Sequence, residues 1–159
     1  MENKNFHFSL AAIGSSSIQQ QAIDRLLACN RYTSPHGLSL THQQSAALIQ
    51  TQANMLKKSG RIEFGPGAAE PLIAAFYDSP YLSQENYEQT LHELIALFYD
   101  FKNDTWEVLS DSALIEFMKS NFNQTCGGSL ELLSQALSKL SRHIHNGYSA
   151  DTFKLCTEE

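Results

Sequence analysis

The sequence has few cysteines, few basic residues and no long hydrophobic run, and each shortage excludes a class of protein. Its cysteines, 3 in 159 residues, form an odd and scattered set, which excludes a disulfide scaffold and favours a reducing compartment. No run approaches the roughly 20 apolar residues that a membrane-spanning helix requires. Residues 1–9 carry a single lysine and no long apolar run, so we expect no export signal and a cytoplasmic protein.

Charge narrows the choice of partners. Lysine and arginine total 11, aspartate and glutamate total 17, and the net charge is −6. Proteins that bind nucleic acid or anionic membranes draw affinity from clustered basic side chains, and Lys57-Lys58 is the one adjacent basic pair in this sequence. We therefore expect neither nucleic acid nor a membrane among the partners.

Apolar residues recur at the spacing of helices along most of the chain, which predicts an all-α protein. The first three predicted helices are a segment at 17–29, a segment capped by Ser39 or Thr41 that ends at Gly60, and a short segment from Pro71 to Asp78. Residues 61–64 alternate between polar and apolar side chains, which leaves open a very short extended segment there.

The remaining helices have clearer apolar stripes. Ser83 is the predicted N-cap of a long central helix, Ser110 or Asp111 caps the next helix, and Ser129 caps the last. The last helix carries an unbroken seam: Leu130, Leu133, Leu137, Leu140 and Ile144. We predict one domain over residues 1–159, a bundle of about six helices with its core at about 15–146, an arm at 1–14 and a tail at 148–159.

None of the motifs that would indicate catalysis or metal binding is complete. His92 begins a sequence like that of a zinc-protease helix, but Ala96 stands where the second histidine ligand is required. Residues 100–111 have the length of a calcium loop without its glycine. Cys126, beside two glycines, is the one thiol that merits a test of reactivity. We predict no catalytic residue, no metal site and no cofactor.

Polar and aromatic residues gather at two breaks in the chain. Side chains of this kind in loops can build a ligand site, but they can also join loops to helices through hydrogen bonds, which is the more common arrangement. The candidate residues are Arg61, Glu63, Asp78, Tyr81, Tyr99, Lys102 and Asn103.

The same regions carry a resemblance to a known family. The residues concerned are Asn30, Tyr32-Thr33, Gly37–Leu40, Gly60–Gly65, Asp78–Tyr81, Phe98-Tyr99, Lys102-Asn103, Ser110-Asp111, Leu114-Ile115 and Gly128–Leu130. In combination they resemble an uncharacterised family of small bacterial proteins, a domain of unknown function from anaerobic Gram-positive lineages. The resemblance spans about residues 20–140 and implies an intact single domain. It implies no activity and no site residues.

The sequence favours one function and leaves a second open as the alternative. The first is a helical interaction or accessory module without catalysis, which binds another protein or a second copy of itself through spare apolar surface on the last helix. The second is a small-molecule-binding protein or small enzyme with a polar site near Arg61, Glu63, Asp78, Tyr99 and Lys102. The second function requires that these side chains meet at one pocket.

Overall fold

A computed structural model of the chain describes residues 17–60, 63, 65–105 and 108–153. The predicted arm at 1–14, most of the predicted extended segment (61, 62 and 64) and residues 154–159 lie outside this description. The described residues form helices and no strand, which confirms the predicted all-α bundle. The helices are α1 (17–28), α2 (Asn30–Thr33), α3 (His42–Ser59), α4 (Ala69–Phe76), α5 (Tyr87–Thr105), α6 (Asp111–Asn123) and α7 (Leu130–His145), with 3₁₀ turns at Ser34–His36 and Ala150–Thr152.

Local sequence signals define both ends of α3. The Thr41 hydroxyl accepts from the Gln44 backbone N–H at 3.1 Å, and the Gln44 side chain accepts from the Thr41 N–H at 2.9 Å. This reciprocal capping box begins the helix where Thr41 predicted it. Gly60, at φ 68°, ends the helix in the left-handed conformation that glycine adopts without strain.

The long central helix α5 begins later than predicted. Asn86, and not Ser83, directly precedes its first residue, and the Asn86 carbonyl accepts from the Thr90 N–H at 2.9 Å. The Asn86 side chain accepts from the Ser83 N–H at 2.9 Å and donates to the Tyr81 carbonyl at 3.1 Å. These bonds hold residues 84–86 in a turn, and α5 starts at Tyr87. From there α5 packs against α3, α4 and α7 at the centre of the bundle.

The leucine seam of α7 faces the interior. Ser129 caps the helix by accepting from the Leu132 N–H at 3.2 Å, as the sequence predicted. Leu133, Leu137 and Leu140 are buried where α7 packs against α5 and α6. The seam therefore belongs to the core and does not supply a free apolar face.

Residues 148–153 fold back onto the end of α7. The His143 ring stacks on Tyr148 with 5.0 Å between ring centroids and contacts the Phe153 ring at 5.5 Å. Its Nε2 lies 2.9 Å from the Ser149 carbonyl oxygen, to which an N–H at this position donates.

In the part of the chain described, no helix has the length and apolar content needed to cross a membrane.

Candidate functional site

A cleft of about 390 Å³ opens between α1, α3 and the loop before α4, and we call it the α1–α3 cleft. Its volume falls in the range of about 300–1,000 Å³ that is usual for small-molecule sites. Apolar side chains form most of its wall: Ile18, Ala22, Ile49, Ala53, Leu56 and Pro66. The polar residues around it are Gln19, Gln21, Arg25, Gln52 and Glu63. The cleft therefore combines an apolar interior with a small number of polar groups.

Gln52 is a buried polar group that forms one wall of the cleft. Its Oε1 accepts from the Ala69 N–H at 3.1 Å, and its Nε2 donates to the Pro66 carbonyl at 3.2 Å. Gly67 makes this contact possible, since a Cβ at that position would lie 2.1 Å from Gln52 Nε2. Gln52 thus ties α3 to the loop that enters α4 and keeps the cleft in shape.

Glu63 is held at the cleft by a buried tyrosine. The side chain of Tyr99, only 1 % exposed, accepts from the Ala68 N–H at 3.0 Å and donates to Glu63 Oε1 at 3.1 Å. The hydroxyl of Tyr99 therefore satisfies a buried backbone donor and orients a carboxylate at the same time. Of the residues singled out in the sequence, Glu63 and Tyr99 are brought together.

Other candidate residues make contacts away from the cleft. Lys102 forms an ion pair with Asp111 at the start of α6, and its ammonium lies 5.5 Å from the centre of the Phe98 ring. The Tyr81 ring packs edge-on against Phe122 with 6.1 Å between centroids. These contacts are of the kind that join loops to helices.

Three more of the candidate residues do not line the cleft as described. Asp78 is exposed just beyond the end of α4, and Asn103 is half-buried on α5. Arg61 lies outside the described residues. Among the described residues, the polar site predicted near Glu63, Asp78, Tyr99 and Lys102 is therefore not assembled at one pocket. Glu63 lines the cleft with Tyr99 behind it, and the other lining residues come from α1, α3 and the loop before α4.

Arg25 is the positively charged residue in the described lining of the cleft. It lies on α1, and its Nε donates to Glu70 Oε2 at 3.2 Å in a partly exposed ion pair beside α4. The sequence does not single out Arg25, because an exposed arginine on a helix carries no distinguishing signal.

The sequence does contain a signal that Gln52 makes a contact with another segment. It lies in helical register with Leu48, Ile49 and Leu56, so a polar side chain interrupts the apolar stripe of α3. Buried polar side chains require hydrogen-bond partners, and such an interruption therefore indicates a contact with another segment.

Thr51, His92 and Glu88 form a second polar cluster between α3 and α5. The Thr51 hydroxyl lies 2.7 Å from His92 Nδ1, and His92 Nε2 lies 3.2 Å from Glu88 Oε2. The connectivity is that of a nucleophile, a base and an orienting carboxylate. However, Thr51 lies within α3, where backbone N–H groups bond within the helix and cannot stabilise an oxyanion. We assign this cluster a structural role, in which His92 is hydrogen-bonded to Thr51 and Glu88.

The two described cysteines are unsuited to nucleophilic chemistry. Both Cys29 and Cys126 are buried, and desolvation by that burial raises the pKa of each thiol. A raised pKa lowers the fraction of thiolate, which is the reactive form. Cys126, the thiol singled out in the sequence, therefore has the environment of a structural cysteine.

One protein family matches residues 25–150, a stretch that contains Arg25, Gln52, Glu63 and Tyr99. The chain belongs to the family of unknown function DUF6323. The resemblance to an uncharacterised family that the sequence showed is thereby confirmed. No curated protein and no solved structure matches the chain. Membership of DUF6323 supplies no activity, so the function of this member has to be argued from its geometry.

Replacing Tyr99 by phenylalanine in this DUF6323 member tests the network behind the cleft. Tyr99→Phe removes one oxygen and leaves the buried Ala68 N–H without this acceptor. We expect the free energy of unfolding to fall by about 1–3 kcal/mol, the usual cost of an unsatisfied buried donor. Urea denaturation measures this change. The matched control is Tyr148→Phe at an exposed tyrosine, and equal stability of the two variants would contradict the assigned role of Tyr99.

Proposed function

We propose that the protein binds a small amphiphilic molecule in the α1–α3 cleft and does not transform it. The observation that carries this proposal is the convergence of Arg25, Gln52 and Glu63 on a cleft with largely apolar walls. Small-molecule sites commonly have this composition, in which apolar walls supply affinity and a few fixed polar groups supply orientation.

Two polar groups of the cleft, Gln52 and Glu63, are held by hydrogen bonds within the protein. Gln52 is held by two backbone groups, and Glu63 is held by the buried Tyr99. A ligand therefore does not have to immobilise these side chains, and each side chain ordered on binding would cost about 0.5–1.5 kcal/mol. Such preorganisation supports a binding role.

The lining also supports binding without catalysis. The side chains described around the cleft include one carboxylate, Glu63, and no histidine, cysteine, serine or threonine. Covalent catalysis needs an activated nucleophile, and general acid–base catalysis commonly pairs an acid with a base. The described lining holds no such nucleophile, and Glu63 is its one carboxylate.

The alternative of an interaction module loses its main support in the structure. It was motivated by the leucine seam of α7, and Leu133, Leu137 and Leu140 are buried within the bundle. A protein partner or a second copy stays a prediction from the sequence. The bacterial source and the cytoplasmic location also stay predictions. The lack of nucleic-acid partners stays a prediction too, and the acidic net charge of −6 supports it.

A fragment screen followed by NMR tests the proposed cleft. We expect small apolar fragments with one polar group to shift the backbone resonances of α1, α3 and the loop before α4. Ala53→Trp should abolish these shifts, because the larger side chain occupies space that Ala53 leaves open in the cleft wall. The matched control is Asn54→Trp, which adds the same side chain at the next, exposed position of α3.

The results of this screen decide whether the cleft binds small molecules. Fragments that bind wild type and Asn54→Trp but not Ala53→Trp support the proposal. Thermal melts of both variants show whether the substituted chains are folded. A complete lack of binding fragments, or binding that Ala53→Trp leaves intact, would contradict it.

A further inference from the structure

We infer that the natural ligand of the α1–α3 cleft is zwitterionic, with an apolar body, a carboxylate that pairs with Arg25 and an ammonium that pairs with Glu63. Apolar amino acids and short apolar peptides have this chemistry. The inference rests on the proposed function and goes further, because it assigns a ligand class to Arg25 and Glu63, the charged residues in the described lining of the cleft.

Arg25 is suited to a carboxylate. Its Nε–H donates to Glu70 in a partly exposed ion pair, and a guanidinium has further N–H donors. The planar guanidinium can bind a carboxylate through two parallel hydrogen bonds, which combine charge with directional specificity. The bond to Glu70 uses one donor of Arg25 and leaves donor capacity for a ligand.

Glu63 is suited to an ammonium. Its Oε1 accepts from the Tyr99 hydroxyl, and a carboxylate has further lone pairs for other donors. An ammonium supplies several N–H donors together with the opposite charge, which makes these hydrogen bonds stronger than those between neutral groups. Because Tyr99 is buried, the orientation of Glu63 is set from the core of the protein.

The balance of charge in the cleft distinguishes a zwitterion from an anion. Arg25 and Glu63 are the charged members of the described lining, one of each sign, and Glu70 pairs with Arg25 beside it. A phosphorylated ligand would meet the carboxylates of Glu63 and Glu70 as well as Arg25, and like charges repel at short range. A zwitterion places one charge of each sign on Arg25 and Glu63, and its apolar body contacts apolar lining residues such as Ala22, Ala53 and Leu56.

Four forms of one dipeptide test the inference by isothermal titration calorimetry. They are leucyl-leucine, its N-acetyl form, its C-terminal amide and the doubly capped N-acetyl amide, which share one apolar body and differ in charge. We expect leucyl-leucine to bind most tightly. We expect each single cap to weaken binding at least about fivefold, which corresponds to about 1 kcal/mol.

Two variants assign each charge to its residue. Arg25→Gln should remove the preference for a free carboxylate and retain the preference for a free ammonium, and Glu63→Gln should do the reverse. Glu63→Gln keeps an oxygen that can accept from Tyr99, so the network behind the cleft is preserved. The matched controls Arg31→Gln and Glu116→Gln remove the same charges at exposed positions outside the cleft and should change neither preference.

The possible results separate this inference from the proposed function. If the doubly capped form binds as tightly as leucyl-leucine, the inference of a zwitterionic ligand is wrong and the cleft remains a binding site. The same conclusion follows if apolar fragments bind in the cleft and none of the four dipeptides does. If neither fragments nor dipeptides bind, the proposed function itself fails. Loss of charge preference in the control variants would also overturn the assignment to Arg25 and Glu63.

Discussion

Replacing Gly67 by alanine is expected to lower the free energy of unfolding by about 3–5 kcal/mol. Gly67 has φ 86°, and an L-residue in that conformation costs roughly 1–2 kcal/mol. The new Cβ would also lie 2.1 Å from Gln52 Nε2, so Gln52 would have to leave its place. It would then lose its bonds to Pro66 and Ala69, and each such bond contributes about 1 kcal/mol or more when the groups involved are buried.

Gly37→Ala is the matched control for this prediction. Gly37 has a similar φ of 81°, but a Cβ there would meet no atom within 4 Å. We expect it to cost only the conformational strain, about 1–2 kcal/mol. Urea denaturation of both variants isolates the steric effect. Equal decreases in their free energies of unfolding would show that Gly67 and Gln52 do not constrain each other. Gly67→Ala should also weaken ligand binding, because Gln52 forms part of the cleft.

Replacing Leu133 by alanine is expected to cost about 3 kcal/mol of stability, within the range of 2–5 kcal/mol for buried leucines. Leu133 is 0 % exposed and packs in the core beside Leu137. Its neighbour Leu132 is 45 % exposed, so Leu132→Ala should cost well under about 1 kcal/mol. Thermal and urea unfolding of the two variants compare the inward and outward faces of α7.

This pair of variants also tests the interaction module that the sequence allowed, because that function would use the seam of α7. If the seam is core, Leu133→Ala destabilises the monomer and leaves its oligomeric state unchanged. If the seam instead joins two copies, Leu133→Ala leaves the fold stable and dissociates the complex in sedimentation or native mass measurements. The second result would contradict the structural assignment of α7 and would restore the interaction module.

The positions of several helices could be predicted because their signals are local. Thr41 and Gln44 cap α3 within one turn, and Gly60 ends it by adopting a backbone conformation open to glycine. Ser83 shows the limit of this reasoning. It has the chemistry of an N-cap, but residues 84–86 form a turn and α5 starts at Tyr87. Ser83 and Asn86 both have side chains that favour the N-cap position, and residue types alone do not determine which of them precedes the helix.

The candidate site could be predicted only in part. Glu63 and Tyr99 were found because polar residues at chain breaks indicate either a site or a network, and they form a network that borders the cleft. Lys102 belonged to the same pattern, but the structure pairs it with Asp111 at the start of α6. The pattern does not record which segments meet in space, so it could not separate these residues.

The all-α class could be predicted from residue spacing, because apolar residues at helical spacing are buried when helices pack together. The resemblance to a family of unknown function was also visible in the residues alone. The position of the cleft depends on packing, because α1, α3 and the loop before α4 are separate in the chain and meet only on folding. Gln52 illustrates the reason: its partners at Pro66 and Ala69 come from another segment, and only the packed fold brings them within hydrogen-bonding distance.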